Sequence, residues 1–151
     1  MKMLNLKTLR IILKEIFELD DEHIVPITAN WFVPSVNLKE EDEIYLGYRI
    51  ISKKQFSLKD DENAGPDFIK VYFRLSFLGR NSEQFAEQIY FWKDNDKVKN
   101  VFASFDLELN FNDISSFTYP ISSSVKNGEM SWIFDMSAMS DYEKELKLIT
   151  Y

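Results

Sequence analysis

The chain has 151 residues, 45% hydrophobic and 15% aromatic, with 25 acids against 18 bases for a formal charge of −7. That size and apolar share suit one domain around a single core, and four glycines and four prolines exclude low-complexity, collagen-like and disordered classes. The absence of cysteine excludes disulfides, thiolate metal sites and cysteine nucleophiles, while bases scattered among a surplus of acids argue against a sequence-reading nucleic-acid binder.

Taken in chain order, Leu6, Leu9, Ile12, Leu13, Ile16 and Phe17 recur at three- and four-residue steps, which predicts an amphipathic helix over 5–18. Lys7, Arg10, Lys14 and Glu15 interrupt that apolar run, so it is expected to be neither a membrane span nor a signal peptide. "ELDDEH" ends the helix. "IVPITANWFVP" follows as a short extended segment, and its flanking Pro26 and Pro34 suit an edge strand. The acidic "NLKEEDE" reads as a solvated loop.

"IYLGYRIISKK" alternates Ile44, Leu46, Tyr48 and Ile50 against Tyr45, Gly47, Arg49 and Ile51, the period of a strand. "QFSLKDDENAGPD" lacks the apolar surface to order itself and reads as a long, mobile hairpin loop. In the next strand Val71, Phe73, Leu75 and Phe77 are expected in the core, with Lys70, Tyr72, Arg74 and Ser76 on the wet face. Gly79 is placed to take positive φ, Asn81 or Ser82 to cap a central helix, and Phe85, Ala86, Ile89 and Trp92 to form its buried stripe.

After the polar "KDNDKVKNVFAS", which suits a short helix, Phe105, Leu107, Leu109 and Phe111 alternate with Asp106, Glu108, Asn110 and Asn112. "SSFTYPIS" alternates again through Phe117, Tyr119 and Ile121, and Asn127-Gly128 signals a turn before a strand carrying Met130, Trp132, Phe134 and Met136 on one side. The tail "SDYEKELKLITY" is charged. The expectation is one α+β domain: a mostly antiparallel sheet of about five strands, the last three joined by short turns, covered on one face by an N-terminal and a central helix.

Residues with catalytic chemistry are sparse. His23 has no cysteine or second histidine beside it, and its acidic loop suits a surface position. There is neither a G-x-S-x-G elbow nor a glycine-rich phosphate loop. Asp106 and Glu108, two apart on one strand face, have the spacing a carboxylate pair would want, but their neighbours Asn110 and Asn112 mark that face as the solvated side of an amphipathic strand. "EEDE" at 40–43 and "DDEN" at 60–63 lack calcium-loop spacing. No catalytic residue, cofactor or metal is expected.

Trp31, Tyr45, Tyr72 and Tyr90 fall on what should be the polar sides of their elements, which calls for either internal cover or a subunit interface. With Arg74, and with Lys53, Phe56, Leu58, Asp60, Asp61 and Glu62 in and around the long loop, the first three make a candidate subunit or partner interface.

The run "GYRIIS", the polar loop, "IKVYFRLSFLGRNSEQFAEQIYFW" and the strands "FDLELNF", "FTYPI" and "MSWIFDMSA" resemble the layout of the tail-completion, or tail-terminator, proteins of tailed bacteriophages. The likeness spans about residues 5–138 and rests on the Gly79-Arg80-Asn81-Ser82 joint leading into the helix that begins Glu83-Gln84. Residues 26–34 and those after Asp135 depart from the family's layout. The resemblance implies a structural virion protein without catalysis, forming a ring of about six copies that caps the tail tube and mates with head-completion or connector proteins. DNA would pass through the lumen without specific binding, helped by the acidic charge. Another neck or adaptor ring protein shares these features. From a different class, so does an acidic immunity or inhibitor protein that binds a basic partner.

Overall fold

The computed structural model describes residues 4–27, 44–56, 68–79, 82–120 and 130–141. The loop expected at 37–43, the loop expected at 55–67 beyond Phe56, the Asn127-Gly128 turn and the charged tail beyond Asp141 lie outside the described residues, while Gln55 and Phe56 are strand rather than loop.

Helix α1 spans Leu6–Phe17; the Asn5 side chain accepts from the Thr8 amide at 2.8 Å, relieving one of the unpaired donors of the first turn. Leu9, Ile12, Leu13 and Phe17 are buried as the periodicity requires, whereas Leu6, the first residue of the helix, is exposed. The chain leaves α1 through Glu18 in a left-handed conformation (φ 55°) and makes a 3-10 turn over Asp21–His23. It then enters strand β1, Ile24–Pro26. Arg10 fixes that path: its guanidinium donates to the carbonyl of Ile24 (2.7 Å) and to that of Asp21 (3.0 Å), so helix and strand share one clamp.

Strand β2 (Tyr45–Phe56) pairs antiparallel with β3 (Phe68–Leu78). Gly79 then takes φ 110°, a value open to glycine, and α2 (Ser82–Glu87) follows. A 3-10 segment, Gln88–Asp94, links α2 to α3 (Asp96–Ser104). Strands β4 (Glu108–Pro120) and β5 (Met130–Asp141) complete a five-stranded sheet in the order β1-β2-β3-β5-β4.

The fold is α+β, with helices on one face of the sheet. Phe77, Leu75 and Phe73 on β3 pair with Trp132, Phe134 and Met136 on β5 and project toward the helices. There Phe17 meets Phe77 (ring centroids 5.4 Å) and Trp92 (5.7 Å), and Phe102 meets Phe73 and Trp92, each at 6.3 Å. The core stripe of the central helical region is as expected at Ala86, Ile89 and Trp92, all buried, with Phe85 partly buried against them.

Four expectations need correction. The sheet is mixed, because β1 runs parallel to β2 (Ile24 opposite Leu46), an orientation that edge signals such as Pro26 do not encode. The central helix is α-helical only over Ser82–Glu87 and continues as the 3-10 segment Gln88–Asp94, while the short helix expected after it is α3. The two strands read at 105–112 and 116–121 are the one strand β4. Its register against β5 jumps from Asn110 opposite Ser137 to Ser115 opposite Asp135, and this irregularity resets the apolar alternation in mid-strand. Ser76 also proves fully buried on the face expected to be wet, hydrogen-bonded to Ser131 at 2.8 Å.

Candidate functional site

The two ends of the sheet differ. β1 is three residues long and ends in Pro26, which has no amide to offer a further strand. β4 is thirteen residues long, and among the described residues no strand pairs with its outer edge. Along Ser115, Ser116, Phe117 and Thr118 every side chain is exposed, and no charged residue occurs from Ile114 to Pro120.

Asp113 locks the irregular part of β4. Its Oδ2 accepts from Ser137 Oγ (2.7 Å), from Lys70 Nζ (2.9 Å) and from Asn110 Nδ2 (3.1 Å), tying β4 to β5 and β3. The bonds from Lys70 and then Ser137 stabilise the ionised form and hold this carboxyl below its ordinary value, with partial burial opposing them. One row along, Arg74 grips Asp135 with two bonds of 2.7 and 2.9 Å, and the Phe117 ring lies over its guanidinium, 5.7 Å from centroid to Cζ.

On the helical side, Tyr90 and Phe91 are the most exposed large apolar residues described, at 62% and 69%. Helical geometry explains them: with Ile89 and Trp92 directed into the core, the two residues between are turned away from it. Tyr90 lies against β4, its ring edge-on to Phe134 (5.7 Å) and its hydroxyl 3.4 Å from Ser116 Oγ. The β4 edge, beyond which no described strand lies, is thus bordered by Tyr90 on one face and by Phe117 on the other.

The residues singled out from sequence fall elsewhere. Tyr45 is half-buried, with His23 5.4 Å from its ring. Tyr72 is half-buried beneath Lys54, whose Nζ is 5.3 Å from the ring centroid, and Arg74 is held by Asp135. Lys53 is exposed opposite Val71: a register shift between Ile50 and Ser52 exchanges the faces of the residues after it. Phe56 is the last residue of β2 and pairs with Phe68. Trp31, Leu58, Asp60, Asp61 and Glu62 lie outside the described residues. Phe91 was missed from sequence, although a run of Tyr90-Phe91-Trp92 in helical backbone cannot bury all three rings on one side.

Asp106 does not share a strand face with Glu108. It sits in the turn after α3 at φ 58°, its amide bonded to the Ala103 carbonyl, ahead of the first residue of β4. Asp20, Glu22 and His23 bring one potential ligand atom each within 4.8 Å of one another, the one such grouping among the described residues. All three belong to one turn at the surface, and nothing further in the structure points to an ion there. Among the described residues no helix is long and apolar enough to cross a membrane. No family model matches the chain, and no curated protein matches it.

Proposed function

We propose that this chain is a structural subunit of a closed homo-oligomeric ring, specifically a tail terminator at the head-tail neck of a tailed phage. The observation that supports it is the pair of unlike edges on one sheet, short and ending in Pro26 at β1, long and without a further described strand at β4. A ring needs a heterologous contact, in which one surface of a subunit meets a different surface of the next, and a self-matching patch alone gives only pairs. The charge of −7 suits a lumen through which DNA slides without adhering. Function then lies in assembly: the ring would contact the tail-tube protein below and a head-completion or connector protein above, within the virion.

The test is the solution mass of the full chain by light scattering over a concentration series, with negative-stain images of any large species. Closed rings of about six copies are the expected result. A single-subunit mass at every concentration, unchanged when purified tail tubes are added, would count against the ring. Tight one-to-one capture by a basic partner, with no self-association, would favour the inhibitor class instead.

A further inference from the structure

We infer that the outer edge of β4 over Ser115–Pro120, together with Tyr90 and Phe91, is the surface on which a second copy of this chain docks. The inference rests on the self-assembling reading above and names the part of the molecule that carries it. Two observations converge there. The strand edge has backbone groups that no described strand satisfies, which is the template for adding one more strand. Tyr90, exposed at 62%, is braced against the strand through Ser116, and Phe91, exposed at 69%, follows it in the chain. An exposed aromatic pair beside an open edge is what an interface core requires, a desolvated apolar centre with Glu87, Lys93 and Asp94 as polar rim.

Charge selects the occupant. Two copies of a chain at −7 repel one another over most of their surfaces, so they can approach most closely where charge is missing. Ile114–Pro120 is such a place, seven consecutive uncharged residues in a chain that is 28% charged. A strongly basic partner would gain nothing from electrostatics at this edge. The β1 edge, three residues long and ending in Pro26, is blunted in the way natural edge strands usually are, whereas β4 runs thirteen residues with no described strand beyond it.

Sedimentation velocity on the full chain over a concentration series, with Phe91→Asp and Thr118→Lys as separate variants, tests this. Both positions are exposed, so circular dichroism and melting temperature should match the wild type, and Lys7→Glu, at an exposed position of α1, serves as a charge change elsewhere on the surface. The expected result is a wild-type oligomer that both variants weaken at least about tenfold in dissociation constant, while Lys7→Glu leaves it unchanged. Small oligomers that both variants dissolve would support the β4 surface and overturn the ring. Rings that persist undiminished in both variants would support the ring and overturn the β4 surface. A wild type monomeric throughout also overturns the inference.

Discussion

Asp113 concentrates three donors on one carboxylate oxygen, and its position in the irregular part of β4 makes that charge structural. Its folded-state value lies below the unfolded one, so the stability it confers is fully present above the unfolded carboxyl value of about 3.9 and is lost as pH falls through the folded value. Asp113→Asn should therefore be less stable than wild type at neutral pH, with the gap closing in acid; urea midpoints at pH 7 and pH 3 check this, and an equal gap at both would refute it. Phe73 is fully buried, with Ile50 and Met136 as strand neighbours and the Phe102 ring stacked on it. Phe73→Ala should cost about 3–5 kcal/mol, enough to unfold a domain of ordinary stability. A melting temperature close to wild type would mean that this side chain is not in the core.

At the scale of elements, α3 depends on its cap, where the Asn95 side chain accepts from the Val98 amide at 3.2 Å. Asn95→Ala should cost about 1 kcal/mol, read as a shift in the denaturation midpoint. Past the register shift at Ile51, the β2-β3 pairing is regular to its last pair, Phe56 opposite Phe68. Replacing residues 57–67 by Asn-Gly, the dipeptide suited to a two-residue hairpin turn, should thus preserve the melting temperature; if that segment contacts a neighbouring subunit, only assembly should weaken. The sequence was most informative where one period runs unbroken: Leu9 through Phe17, and Val71 through Phe77. It misled where backbone irregularities reset the count, since the jump between Asn110 and Ser115 made one strand look like two, and the shift at Ile51 moved Lys53 to the other face. Strand direction left no trace, because Ile24–Pro26 would be equally apolar in either orientation. The β4 edge was legible in part: its lack of charge is visible in the sequence, but its position at the end of the sheet depends on β5 lying between it and β3.

For the whole molecule, the helices cover one face of the sheet, while the described part of the other carries the Arg74-Asp135 and Lys70-Asp113 ion pairs with buried Ser76, Ser131 and Ser137 between strands. Mutations on the helical face should act chiefly on stability, and those at β4 and the neighbouring aromatics chiefly on mass in solution. The strand order has a consequence for synthesis. β5 is the last of the described strands to be made, yet it sits between β3 and β4. Until it leaves the ribosome, β3 has only β2 beside it, β4 has no partner, and Phe73, Leu75 and Phe77 lack half their cover. The N-terminal half can form α1 and three strands early, but the cooperative core waits for Met130–Asp141. A nascent chain arrested before residue 130 should remain protease-sensitive, and β4 should meet its own β5 before it can serve a neighbour.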